Sequence, residues 1–314
     1  MKTLLVGYKA ADLTPELLKG DVTCHVLDIY HRHAIEKVHH AKVVCSAHLP
    51  EGPWDLVRFK TGPKIHSGEL ALDLLQECHG LGAEIEVAFE GRERDRNDLL
   101  NKIKDDPKRV RSFRAEWPAS VPGGEKLMFT SYPGCFCHRR LDEGGLALAE
   151  VVSRELCEQN VRTSGLRLLD MGCGCGLVGF LIANRLKQAK TLNSQLLTLN
   201  LTLVDSHARA VEAAAENAAK FGVDAEVILS DNGTPARMDG TFDVFVGNPP
   251  YYSDYRIAEV FLETAKRALK PDGICYTVVK NAAGLKPVQE RYFPSVEVIP
   301  RRGYSVLKSF NRKG

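Results

Sequence analysis

Short apolar runs punctuate the first third of the chain, separated by stretches in which apolar residues recur at helical intervals. Thr3–Val6, Thr23–Leu27, Ala41–Cys45, Trp54–Phe59 and Ala83–Phe89 have the length and apolar character of buried strands. Between them, Glu69–Glu77 sets Leu70, Leu72, Leu74 and Leu75 on a helical pattern. Strands alternating with helices predict an α/β sandwich with a mainly parallel sheet. No glycine-rich loop follows any of these runs. This half therefore predicts a nucleotide-binding architecture that lacks its nucleotide site.

The pattern breaks at 104–126, KDDPKRVRSFRAEWPASVPGGEK, which is rich in Pro, Gly and charge. Lys108, Arg109, Arg111 and Arg114 crowd together there, as in a solvated connector or a strip that grips phosphates. The expected division is a first α/β domain over 1–110, a basic linker over 111–126 and a second domain over 127–314.

The second domain alternates more clearly. Arg167–Asp170 and Leu199–Asp205 predict strands that each end in an acid. Ala208–Phe221 predicts a helix, with Val211, Ala214 and Ala215 at helical spacing and Gly222 placed to stop it. Phe242–Val246 and Ile274–Val279 predict two more strands. The closing run SVEVIPRRGYSVLKSF splits at Arg-Arg-Gly into an antiparallel hairpin. A parallel α/β sheet closed by such a hairpin departs from a plain dinucleotide-binding fold and fits the class I methyltransferase fold.

At 314 residues the chain has room for about two domains. A net charge of +2 excludes nothing, so any nucleic-acid partner has to be argued from local patches. Nine scattered cysteines form no regular frame and read as reduced intracellular thiols. MKTLLVGY is too short an apolar run for a signal-peptide core. No stretch approaches the roughly 18 apolar residues of a membrane span. The expectation is a soluble, cytoplasmic protein.

Chemistry enters with LRLLDMGCGCGLVG, a strand, then Asp170, then Gly172, Gly174, Gly176 and Gly179, then a helix. Glycine belongs where a backbone turns sharply and a ligand approaches the main chain, and such a loop sits at a strand's carboxyl end. Gly174, Gly176 and Gly179 also satisfy the G-x-G-x-x-G pattern of NAD-binding proteins. Two features tilt against NAD. Asp170 would repel a pyrophosphate but suits the ammonium of a methionine moiety, and Asp205 follows 35 residues later (205 − 170), beyond the usual spacing. With S-adenosylmethionine as ligand, Asp205 at its strand end is placed to accept from both ribose hydroxyls, and Asp231 in ILSDN to meet the adenine amine.

FDVFVGNPPYY supplies the second constellation, Asn248-Pro249-Pro250-Tyr251. Two prolines lock the backbone and remove two donors, leaving the Asn248 side-chain carbonyl and the Pro249 main-chain carbonyl as fixed acceptors for an amine. Tyr251 offers a face for stacking a planar substrate. Positioning for in-line transfer then carries the catalysis.

NPPY behind LDMGCGCG resembles the amino-nitrogen methyltransferases of nucleic acids and of protein glutamine. YPGCFCHRRLDEGGLALAEVV narrows this, because Pro133, Gly134, Phe136, Asp142 and Gly144 resemble a segment of the ribosomal RNA guanine-N2 methyltransferases. Cys135 and Cys137 stand where that family usually has Val and Ser. The resemblance is specific over about 130–260. It implies two tandem Rossmann-like methyltransferase domains with the N-terminal one degenerate, S-adenosylmethionine as cofactor, and the N2 amine of a ribosomal RNA guanine as target. The base would be extruded into the pocket if it is paired or stacked. Arg301, Arg302, Lys308, Arg312 and Lys313 are candidate backbone contacts or simply a solvated tail.

Two other functions compete with this one: a protein glutamine-N5 methyltransferase, whose family carries an all-helical N-terminal domain, and a catalytically silent RNA-binding scaffold. Cys135, Cys137 and His138 lack the paired C-x2-C spacing of a zinc site, so no metal is expected. His31, His33, His39 and His40 read as surface or loop residues.

Overall fold

The computed structural model describes residues 1–104, 112–158, 164–192, 198–250 and 255–312. The chain forms two compact units. The first comprises Met1–Ala115 together with Tyr132–His138 and Ser206–Arg209, and the second takes the remainder.

In the first unit, β1 (Lys2–Val6), β2 (Asp21–Val26), α1 (Ile29–His39), β3 (Lys42–Cys45), β4 (Leu56–Thr61), α2 (Gly68–Gly80), β5 (Glu84–Phe89) and α3 (Glu93–Lys104) follow in order. The five strands are all parallel, in the order β3-β2-β1-β4-β5. Central β1 is covered on both faces, which explains its unbroken apolar run. Leu4 and Val6 join Val57, Phe59, Leu70 and Leu74 on one side, and Leu5 joins Cys24, Val26 and Ile35 on the other. Edge strand β5 alternates, exposing Glu84 and Glu86. His31, His33 and His39 lie on α1 rather than in a loop; Asp28 caps that helix by accepting from Tyr30 N, and His40 ends it at φ +50°.

The carboxyl ends of this sheet are tied by protein groups. Lys60 on β4 pairs with Asp12 at 2.6 Å and Glu90 at 2.5 Å. A methyl group on Gly7 would lie 2.2 Å from the Lys60 carbonyl. His66 stacks on Phe59 with ring centroids 5.8 Å apart.

The stretch expected to be a linker contains structure. β6 (Ala115–Ala119) pairs with β7 (Leu127–Ser131) in a two-stranded sheet. Ala115, Trp117 and Ala119 alternate inward. The Trp117 ring stacks on Phe129 at 5.3 Å, and its Nε1 donates to Ser131 Oγ. Burying that ring outweighs the polar composition around it. Arg114 is exposed, whereas Lys108, Arg109 and Arg111 lie outside the described residues.

The second unit continues with α4 (Glu143–Glu158), β8 (Ser164–Met171), α5 (Leu177–Leu192), β9 (Thr198–Asp205), α6 (Ala208–Phe221), β10 (Ala225–Leu229), β11 (Phe242–Gly247), α7 (Arg256–Ala268), β12 (Leu269–Val279), α8 (Ala282–Glu290), β13 (Glu297–Arg301) and β14 (Tyr304–Phe310). Its sheet runs β10-β9-β8-β11-β12-β14-β13. The first five strands repeat the order of the other unit, as a duplicated fold requires. β14 is antiparallel to both neighbours, and the hairpin turns through Arg302 at φ +50° and Gly303 at φ +72°, the left-handed pair of a two-residue turn. No helix among the described residues is long and apolar enough to cross a membrane.

Candidate active site

Strands β8 and β11 are neighbours, and their register pairs Met171 with Gly247. The next residues on each strand, Gly172 and Asn248, therefore leave the sheet side by side at its carboxyl edge, where sheets of this kind bind ligands. Both motifs singled out in the sequence converge on this edge.

The glycine turn is held by its backbone. The N–H groups of Gly172 and Cys173 both donate to Val204 O, at 2.8 and 3.0 Å, and Gly176 N donates to Cys173 O. Gly172, Gly174 and Gly176 have φ of +68°, +56° and +83°, a region closed to most side chains. A methyl on Gly172 would meet the Phe261 ring at 2.6 Å and one on Gly176 the Phe180 ring at 2.3 Å. At Gly174 it would meet nothing within 4 Å, so the loop's open face is there.

The three acids come to neighbouring strand ends, in unequal settings. Asp205 is half-buried, and its Oδ2 accepts from Gly174 N at 2.8 Å. Asp231 lies just past β10, whose Leu229 pairs with Asp205, and is half-buried. Asp170 is only 2% exposed, and its Oδ2 accepts from Gly179 N at 2.9 Å, an orphan donor in the first turn of α5. This buried carboxylate braces the junction of loop and helix through one of its oxygens. Burial pushes its pKa up to about 7, and repulsion from Asp205 and Asp142 adds to the rise.

At the facing corner, Asn248 Nδ2 donates to Asp142 Oδ2 at 2.8 Å. An amide whose NH2 end is so engaged turns its Oδ1 the other way, as an acceptor. Asp142 is held in turn by the start of α4, where it accepts from the N–H groups of Gly144, at 3.0 Å, and Gly145. Its burial raises its pKa. Pro249 is buried and Pro250 half-buried, whereas Tyr251 lies outside the described residues. Phe261 of α7 touches both motifs, since a methyl on Gly247 would lie 2.8 Å from its ring.

Sequence reasoning assigned no role to Asp142 or to Asn217. Asn217 is fully buried on α6, donates to Thr130 O and Cys175 O, and accepts from Thr130 N. It fixes the last turn of the glycine loop to β7. The signal was available: one amide inside an alanine-rich helix face is costly unless every polar atom is used.

The arginines proposed for an RNA backbone are otherwise engaged. Arg301 and Arg302 both close on Glu150, whose side chain is 2% exposed, and Arg302 also reaches Glu143 at 3.4 Å. Lys308 pairs with Glu155 at 2.6 Å. Arg312 lies over the Phe310 ring, and Lys313 is outside the described residues. Cys135 is buried, and no group of three or more His, Cys, Asp or Glu set for a metal occurs among the described residues.

The "Ribosomal RNA small subunit methyltransferase C" of Hahella chejuensis is 35% identical over 172 residues, 52% of this chain and 44% of that protein. Its counterpart in Pseudomonas aeruginosa is 32% identical over 173 residues, 53% of this chain and 46% of that protein. The match thus spans less than half the length of these relatives. A solved T. thermophilus 16S rRNA N2 methyltransferase, in complex with AdoMet and guanosine, aligns over 99% of this chain and 88% of its own. Its TM-score is 0.77 at 15% identity, so the fold is shared. Residues 126–308 match the model of the methyltransferase small domain, and the chain belongs to that family.

Proposed function

We propose that the chain transfers a methyl group from S-adenosylmethionine to the exocyclic N2 amine of a guanine in ribosomal RNA. The observation that carries this is the pairing of Met171 with Gly247, which brings an open glycine turn and an oriented Asn248 carbonyl to one edge of the sheet. The names of the relatives support the same substrate class. The five-stranded sheet of the first unit speaks against the glutamine-N5 alternative, whose family carries an all-helical N-terminal domain.

The residues fit the cofactor. Gly174 leaves its face clear, Asp205 is poised for the ribose hydroxyls and Asp231 for the adenine amine, and the acidic edge favours a cation. S-adenosylmethionine supplies an electrophilic methyl on a sulfonium. Asn248 Oδ1 and the Pro249 carbonyl accept the two amine hydrogens and aim the nitrogen lone pair along the transfer axis. Asp142 keeps the Asn248 amide from flipping. Tyr251 stacks on the base. No strong base is required, because the nitrogen sheds its proton after it has gained the methyl.

The test is to incubate the protein with labelled S-adenosylmethionine and unmodified ribosomal RNA, then map the product by mass. One N2-methylguanine is expected, and label on adenine or on protein would overturn the reading. Asp205→Ala should weaken cofactor binding by about 10- to 100-fold, the worth of roughly 1.5–3 kcal/mol for hydrogen bonds to a charged group. Calorimetry reads this directly. An unchanged dissociation constant removes Asp205 from the ribose, and a wild type with no affinity for the cofactor would favour the silent scaffold.

A further inference from the structure

We propose that Lys280, carried on the ring of Tyr304, binds a phosphate adjoining the methylated nucleotide and anchors the RNA backbone beside the acceptor corner; this rests on the guanine-in-RNA reading above. The strand registers put it there. Gly247 pairs with Thr277 and Val279 with Ser305, so Lys280 follows the end of β12 opposite Tyr304, one strand over from where Asn248 leaves β11. Tyr304 spans the gap. A methyl on Gly144 would sit 3.2 Å from Tyr304 Cε1 and 3.5 Å from Asn248 Nδ2, so the ring borders the corner that holds the amine. Lys280 Nζ lies 4.3 Å from the centroid of the same ring.

Charge accounting sets Lys280 apart from the paired cations of the adjoining hairpin. Arg301, Arg302 and Lys308 on the adjoining hairpin are neutralised by Glu150, Glu143, Glu155 and Glu297. Lys280 is exposed and has no carboxylate within ion-pair distance among the described residues. An aromatic face restrains an ammonium without cancelling its charge, whereas an ion pair spends that charge inside the protein. A cation so restrained, at the rim of a site for an extruded base, is suited to the phosphate that swings out with the base.

The experiment uses a synthetic RNA hairpin carrying the mapped target guanine. For Lys280→Gln the loss should fall on KM, which rises roughly tenfold near 0.15 M salt, rather than on kcat. The slope of log binding constant against log salt should become shallower by about one. A neutral methylphosphonate beside the target should weaken the wild type and leave Lys280→Gln no worse. Tyr304→Leu should reproduce the KM rise, and Tyr304→Phe, which keeps the ring, should rescue it. A Lys280→Gln enzyme with wild-type KM and salt slope, or one penalised by the methylphosphonate as heavily as the wild type, overturns the inference while leaving methylation itself intact. A wild type that methylates no guanine of ribosomal RNA overturns the reading beneath it, and Lys280 falls with it.

Discussion

Asn248→Ala is expected to lower kcat by about 10²–10³-fold, the cost of deleting one preorganised polar group from a site that works by orientation. The dissociation constant for S-adenosylmethionine should stay within a factor of about two. The reason lies in the division of labour along the sheet edge. On the proposed reading the cofactor would be held by the turn after β8 and by Asp205, which are bonded to each other, while Asn248 leaves the neighbouring strand β11. The substitution also leaves an oxygen of half-buried Asp142 without its amide partner, which costs roughly 1 kcal/mol of stability. Activity is therefore compared at a temperature well below the melting point of the variant. Normal turnover by Asn248→Ala would take the residue out of the mechanism.

The second large effect is expected at a residue that never meets the substrate. In Asp142→Asn, the new side chain still caps α4, because Asn and Asp serve that position equally well. Its NH2, however, now faces the NH2 of Asn248. Two donors cannot share a hydrogen bond, so Asn248 flips and offers the amine a donor where it needs an acceptor. We expect kcat to fall by about 10- to 100-fold, as for a lost hydrogen bond of roughly 1.5–3 kcal/mol to a charged group, with little change in melting temperature. The pH profile separates this from mere damage. Ionised Asp142 accepts from Asn248 more strongly than the protonated acid, whose proton competes for the same oxygens, and burial raises its pKa. Wild-type kcat should then decline as pH drops through a value above the ordinary carboxylate range, and the variant should lack that limb. A variant with full kcat would show that the amide is oriented by something else.

Both local motifs were legible because each is written in consecutive residues: the glycines fix the turn at 172–176, and Asn-Pro-Pro fixes the corner at 248–250. Strand alternation disclosed both sheets for a similar reason, since buried parallel strands are continuous apolar runs. What stayed hidden depends on residues far apart in sequence. Asp142 meets Asn248 across 106 positions, and Asn217 meets Thr130 across 87. Glu150 sits inside an apolar helix, and only the folded hairpin shows that it neutralises Arg301 and Arg302. Strand β6 was masked by its own composition, for the proline and charges around Trp117 spoke louder than the alternation of Ala115, Trp117 and Ala119. The bracing bond of Asp170 to Gly179 was not legible because a strand-end acid serves equally well as a brace or as a ligand contact until its burial is known.

One benzene ring governs more of this arrangement than its place on a peripheral helix suggests. Phe261 abuts both Gly172 and Gly247, so it acts as a spacer setting the gauge between the glycine turn and the strand end that leads into Asn248. Widening the cleft for a bulkier acceptor is then not a matter of trimming whatever lines it. Positions 172, 247 and 261 form a single mechanical unit, and a redesign that alters one without the others shifts the glycine turn against the Asn-Pro-Pro corner.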